Sequence, residues 1–241
     1  MSLSITELVK VRMRDLEFSA PTTIVRGAIR LGLLPKPFTV ADDELEAIFI
    51  HLPKAAGTSI RRAISGTKSY HIPLSRYWAE DAERTGRYFK FCFVRNPWDR
   101  MSSAYHYLKE RCVPEPRYPD GRWANRYLSN VADFEDFLGR LRTDQAYCAS
   151  VMQYKHFRSQ LDWLLLPGQE QPVSMDFIGR YENLLDDYAF LGERLPIELT
   201  LPSERVGDMN KDYRTKYTNR MKDTVASLYR DDIKYLGYDF E

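Results

Sequence analysis

Apolar positions follow two periods along the chain, and the alternation between them sets the fold class. Continuous apolar runs occur at Glu46–Leu52, centred on Ala47-Ile48-Phe49-Ile50, and at Tyr88–Val94, through Phe89, Phe91, Cys92, Phe93 and Val94. Such runs suit parallel strands buried on both faces. A third strand is predicted over Val173–Ile178, ended by Gly179-Arg180-Tyr181. Elsewhere the spacing changes to threes and fours. Asn96 is a good N-cap and Pro97 a good first helical residue, and the helix they start puts Trp98, Met101, Tyr105 and Leu108 on one face. Further helices are predicted through Ile60, Ala63 and Ile64 after a turn at 57–59, over Ala132–Leu141, and over Ala146–Leu165. Another follows Tyr181, with Leu184, Tyr188, Leu191 and Leu195 on one stripe. A last helix runs from about Thr218 to Leu236, where Gly237 can stop it. Strands alternating with helices give an α/β fold with a parallel sheet. In such sheets ligands bind beyond the carboxyl ends of the strands, and three polar segments begin there, at Lys54, Arg95 and Tyr181.

Residues 1–44 read as a helical extension, with helices over Thr6–Phe18 and Ile24–Leu33 before Pro35 and Pro37 break the pattern. The remainder, 45–241, reads as one globular domain, since 241 residues allow one sizeable core and are short for two. Residues 112–127 hold Pro114, Pro116, Pro119 and Asp120-Gly121 and read as a loop, long enough for a lid or an acceptor-binding element. A net charge of +1 speaks against a general nucleic-acid binder, so any anion site has to be local. Cys92, Cys112 and Cys148 suggest neither a disulfide framework nor a zinc cluster. Cys92 sits inside an apolar run as a core residue, and a reducing cytosol suits the set. The first residues carry charges every few positions and no apolar stretch of a signal peptide, and no run approaches the length that spans a membrane. The expectation is a cytoplasmic protein.

The first polar segment is His51-Leu52-Pro53-Lys54-Ala55-Ala56-Gly57-Thr58-Ser59, between a strand and a helix. Main-chain N–H groups at a helix start point outward with the positive end of the dipole. Gly57 lets the chain come close to a ligand, Thr58 and Ser59 add hydroxyl donors, and Lys54 adds a full charge. Together they can cradle a phosphate or sulfate. An ATP-binding loop reads G-x-x-x-x-G-K-[ST]. Here the lysine precedes the glycine by three and the first glycine is missing, which disfavours a magnesium-dependent phosphotransferase. The bland alternative is a strand-to-helix turn with a surface lysine.

In the second segment Arg95 stands at a strand end and Ser103 eight residues on. A guanidinium grips phosphate with a two-pronged fork. A serine two turns into the helix shares that anion if the arginine folds back alongside. The bland alternative pairs Arg95 with Asp99.

With KAAGTS after one apolar strand and FVRNPWDRMSSAY after another, the chain resembles the sulfotransferases that use 3′-phosphoadenosine 5′-phosphosulfate (PAPS). The resemblance is to the branch containing carbohydrate O-sulfotransferases and their bacterial relatives. FEDFL at 134–138, DFIGRYENLLDD at 176–187 and LYRDDIKYLGYDF at 228–240 are also similar to that branch, so it covers about 45–240. The resemblance implies a three-layer α/β/α fold of the P-loop type. It implies that Lys54, Ala56, Gly57, Thr58 and Ser59 hold the 5′-phosphosulfate, that Arg95 and Ser103 hold the 3′-phosphate, and that Tyr181 lies near the adenine. Ala55 and Ala56 depart from the Thr and Gly of many members. They keep the main-chain N–H groups and leave the loop conformation open.

Sulfuryl transfer is an in-line displacement that needs charge stabilisation and positioning. Lys54 is placed to stabilise the leaving phosphate oxygen. That leaving group is a good one, so no metal is required, and 3′,5′-ADP (PAP) is released. The acceptor hydroxyl needs a base, and histidine suits neutral pH. His71 lies between the two motifs, where related carbohydrate sulfotransferases carry a histidine base, and is the expected base. His51 reads as a structural or cradle-supporting residue and His106 as a solvated or packed one. His156 and Gln160 resemble a segment that lines an acceptor pocket, with His156 next in line as base. Glu80, Asp81 and Glu83 are the acidic alternatives. The acceptor expected is a hydroxyl-bearing small molecule or glycan, with Trp78, Trp123 and Trp163 available for stacking or for the core. The competing reading is a module that binds PAPS or PAP without catalysis.

Overall fold

The computed structural model describes residues 17–65, 71–195 and 212–240. Three strands, β1 (Ala47–Ile50), β2 (Phe89–Val94) and β3 (Phe177–Arg180), lie side by side in that order. Both pairings are parallel, Ala47 opposite Phe89 and Phe91 opposite Phe177. The α/β class with a parallel sheet follows from the alternation in the sequence. All four residues of β1 are buried, as are five of the six in β2, which is why β1 reads as an unbroken apolar run and β2 as one interrupted only by Lys90. Cys92 is a core residue, and burial pushes its thiol up to about 12.

The described residues group into two compact units. One holds those up to Val94 and those from 160 to 195, and the other holds 95–159 and 212–240.

In the first unit α1 (Thr22–Arg30) and α2 (Val40–Glu44) precede β1, and α3 (Gly57–Ser65), α4 (Leu74–Glu80) and α5 (Ala82–Arg87) separate β1 from β2. Helix α1 lies slightly ahead of the expected Ile24–Leu33. The expected helix Thr6–Phe18 falls outside the described residues except for Glu17 and Phe18. Val25, Ala28 and Ile29 of α1 pack with Ala79 of α4, and Arg26 Nε donates to the Ala79 carbonyl at 2.6 Å. Thr39 and Asp42 cap α2 reciprocally.

Strand β3 starts four residues later than Val173. Val173 donates its N–H to Leu164 O instead of the sheet. Asp176 opens the pairing, its carboxylate accepting from Lys90 N and Lys90 Nζ, both at 2.8 Å. Gly179 faces Phe93 across the sheet, and an added Cβ would sit 2.5 Å from the phenyl ring. A helix over Leu184–Arg194 closes the unit, burying Leu184, Tyr188 and Leu191 as the stripe requires.

The second unit starts with α6 (Pro97–Lys109). Asn96 caps it, accepting from Trp98 N at 3.1 Å, an arrangement worth about 1 kcal/mol. Trp98, Met101, Tyr105 and Leu108 are all buried, each contributing about 1.5–3 kcal/mol of apolar burial. The segment 112–127 is not one long loop, because Pro119–Leu128 is a helix, α7, with Tyr118 as N-cap. Pro119 occupies the first helical position, where proline is favoured. Gly121 is there for packing, since an added Cβ would lie 2.7 Å from Pro116 Cβ.

Asp133 caps α8 (Phe134–Thr143), and its apolar face joins the core cluster of α6 and α7. The expected helix Ala146–Leu165 is instead α9 (Gln145–Met152), and Leu161–Trp163 forms a short 3-10 turn. The last expected helix is two, Asn219–Leu228 and Arg230–Leu236, broken at Tyr229. That buried side chain sends its hydroxyl to Phe157 O at 2.6 Å. Thr218 caps the first and Gly237, at φ 63°, ends the second. Among the described residues no helix is long and apolar enough to cross a membrane.

Candidate anion cradle and base

Strand β1 ends at Ile50, and the chain turns through Lys54, Ala55 and Ala56 into α3 at Gly57. Lys54 and Ala56 have φ of 70° and 60°. Positive φ at two residues of three makes a tight turn, a backbone class in which anion nests occur. Lys54 is half-buried, Ala55 buried and Thr58 exposed. The Ser59 side chain lies outside what the structure describes.

Helix α3 is fixed beneath by Arg61, whose guanidinium reaches Asp42 at 3.2 Å and Phe49 O at 3.4 Å. Both side chains are almost fully buried, so this cation belongs to the scaffold. Burial, with the Asp42 carboxylate beside it, pushes Tyr77 up to about 12.

Gly57 also has a packing reason. An added Cβ would fall on the imidazole of His51. The glycine therefore makes room for His51, which is 4% exposed and stacks on Phe49 at 5.7 Å. His51 is a buried structural residue at the strand end.

His71 packs on the other side of His51, with ring centroids 4.1 Å apart. Its Nδ1 lies 3.0 Å from the His51 carbonyl oxygen. A carbonyl only accepts, so Nδ1 is the donor in this contact, and in a neutral imidazole so bonded the lone pair belongs to Nε2. That is the tautomer a base requires. The rings of Trp163 and His71 meet edge to face with centroids 6.0 Å apart, and Trp163 is 1% exposed, which makes it a wall of the core. Of the acidic alternatives, Asp81 caps α5 by accepting from Arg84 N at 2.9 Å, Glu80 ends α4 half-buried and Glu83 is exposed. Tyr181 opens a 3-10 turn directly after β3 and is half-buried.

In the second unit Arg95 folds back along α6. Its Nη1 donates to Ser103 Oγ at 3.2 Å and its Nε to Asp99 Oδ2 at 2.7 Å. Both pairings weighed from the sequence therefore exist at once. His106, one turn beyond Ser103, is exposed and bonds back to Ser102 O through Nδ1 at 2.7 Å.

His156 is 4% exposed and its Nε2 lies 3.2 Å from Asp120 Oδ2. Asp120 gathers three further donors, Tyr107 at 3.0 Å, Tyr154 at 2.7 Å and Lys155 at 2.8 Å. Burial alone would raise the Asp120 carboxyl, but the bonds and charges of His156 and Lys155 outweigh it and hold it well below the usual carboxylate range. Tyr154, desolvated beside that carboxylate, is pushed far up. Trp123 lies flat on Tyr154 with centroids 4.1 Å apart, and Trp78 is half-buried. Gln160 is fully buried, in the other unit, where its carbonyl accepts from Trp163 N. This Asp120 cluster was not legible from spacing. Its members come from three segments, and Asp120-Gly121 carried the signature of a turn.

A family model described as the sulfotransferase family matches residues 36–239. The chain is similar to Carbohydrate sulfotransferase 14 of Danio rerio, 26% identical over 174 residues, which cover 65% of this chain and 47% of that one. It is likewise similar to Carbohydrate sulfotransferase 10 of Xenopus laevis, 26% identical over 193 residues, covering 68% and 52%. The chain spans about half the length of these relatives. No solved structure matches it.

Proposed function

The chain belongs to the sulfotransferase family, and on that premise we propose that it transfers a sulfuryl group from PAPS to a hydroxyl of a carbohydrate, releasing PAP. The observation that carries this reading is the contact of Arg95 with Ser103 at 3.2 Å. Two donors eight residues apart are brought together, which suits a shared anion and is the arrangement the family resemblance assigns to the 3′-phosphate. The names of the two relatives support a glycan acceptor.

In this reading the Lys54–Thr58 turn takes the 5′-phosphosulfate. Donors aimed at where charge develops lower the barrier most, and Lys54 has that role at the bridging oxygen. The acceptor oxygen attacks sulfur as the bond from sulfur to the phosphate oxygen breaks. The acceptor proton passes to His71 Nε2, and the phosphate oxygen leaves with the electron pair. The hydrogen bond from His71 Nδ1 to His51 O favours this, because it orients the ring and stabilises the imidazolium that forms.

The test is transfer of radiosulfur from labelled PAPS to a panel of mono- and oligosaccharides. Label is expected in an acceptor, with one PAP formed per transfer, and Lys54→Ala is expected to lower the rate about 10²–10³-fold. Donor binding with no transfer to any hydroxyl would point instead to a module that binds the nucleotide without catalysis.

A further inference from the structure

Arg95, just before the N-cap of α6, meets two partners on that helix, and together they decide which of its nitrogens an anion can use. Asp99 is four residues on and Ser103 eight, so these two share one face of α6 and Arg95 reaches back to both. Nε donates to Asp99 at 2.7 Å and Nη1 to Ser103 Oγ at 3.2 Å. The Arg95 and Asp99 side chains are 11% and 17% exposed, so salt screens this pair less than one at the open surface.

A guanidinium is planar and its N–H groups form a fixed fork. With Nε committed to a carboxylate, the side-on edge through Nε is taken. A phosphate is then met through the terminal nitrogens, on the edge where Ser103 stands. We propose that Asp99 is a positioning residue that aims the Arg95 fork toward Ser103 and so sets the preference for a nucleotide carrying a 3′-phosphate. This rests on the reading of Arg95 and Ser103 as the 3′-phosphate grip. Asp99 itself does not touch the phosphate. A carboxylate near a dianion repels it, and if repulsion were its only effect, removing it would tighten binding. The opposite sign is expected here, because an untethered arginine has to be ordered by the ligand, and that ordering subtracts from affinity.

Calorimetric titration of PAP and of 5′-ADP into the wild type, Asp99→Ala and Asp99→Asn separates these effects. Asp99→Ala is expected to weaken PAP about tenfold, the scale of one charge-assisted hydrogen bond, and to leave 5′-ADP within about twofold. Asp99→Asn, whose amide oxygen still accepts from Nε, keeps most of the preference. Should the alanine variant not fold, Asp99→Ser, too short to reach Nε, takes its place. An unchanged ratio of the two affinities, tighter PAP binding in both variants, or equal loss of both nucleotides would each overturn the inference. Equal binding of both nucleotides by the wild type would remove the 3′-phosphate reading itself, and this inference with it.

Discussion

His71 donates its Nδ1 hydrogen to the main-chain carbonyl of His51, 3.0 Å away, and His51 is the first residue beyond β1. The proposed base is thereby tied to the loop that carries Lys54, and its tautomer is fixed by an acceptor that no side-chain substitution at position 51 removes. His71→Ala is expected to lower turnover about 10²–10⁴-fold, the usual weight of a general base, and to leave PAP affinity within about twofold. Steady-state rates beside calorimetry check both halves. A normal rate would place the base elsewhere.

Gly57 and His51 occupy one volume, since a Cβ on the first would fall on the ring of the second. Gly57→Ala is expected to cost about 1–3 kcal/mol by overpacking and to weaken nucleotide binding as the cradle shifts. Combining it with His51→Ala should recover part of the loss, giving a coupling of about 1 kcal/mol or more in a double-mutant cycle read by urea unfolding. Strict additivity would mean that the two do not compete for space.

Ala56 holds a φ of 60°, a conformation costing a residue with a Cβ about 1–2 kcal/mol. Glycine adopts it freely but loses more entropy on folding. Ala56→Gly is therefore expected to raise stability by about 0.5–1 kcal/mol, or roughly 2 °C in Tm for a chain of this size. A fall in Tm would contradict the left-handed turn.

Asp120 has its pKa lowered in the folded state despite burial. An unfolded aspartate titrates near about 3.9. The stabilisation from ionised Asp120 is thus fully present above that value and is lost as the pH falls below it toward the folded pKa. Asp120→Asn is expected to cost about 3 kcal/mol at pH 7, the scale of breaking a buried pair. The gap from the wild type should narrow below about pH 4, where the carboxyl of the unfolded chain takes up a proton that the folded Asp120 still refuses. Urea unfolding at both pH values tests this, and a gap independent of pH would refute it.

What the sequence disclosed was mostly local. Asn96-Pro97 marked the start of α6 and Gly237 the end of the last helix, because caps act within one turn. The apolar runs, broken only by Lys90, marked β1 and β2, because both of their faces are buried. Arg95 and Ser103 were legible as a pair, because Arg95 stands at the end of a strand just before α6 and Ser103 lies about two turns into that helix. What stayed hidden was set by distant partners. The segment 154–156 leaves the helical path because Tyr154, Lys155 and His156 all turn to Asp120. Consecutive helical residues point about 100° apart and could not converge on one carboxylate. The late start of β3 depends on Lys90 and Asp176, separated by 86 residues. The glycine of the cradle was legible as a requirement, but the ring that imposes it, His51, was visible only in three dimensions.

The most direct test of the central claim is calorimetric binding of PAP beside 5′-ADP to the wild type and to Arg95→Ala. The wild type is expected to bind PAP at least about tenfold more tightly than 5′-ADP. Arg95→Ala should lose that preference while keeping its affinity for 5′-ADP. Equal binding of the two nucleotides by the wild type, or equal loss of both in the variant, would contradict a site built for a 3′-phosphate and reopen the identity of the sulfuryl donor.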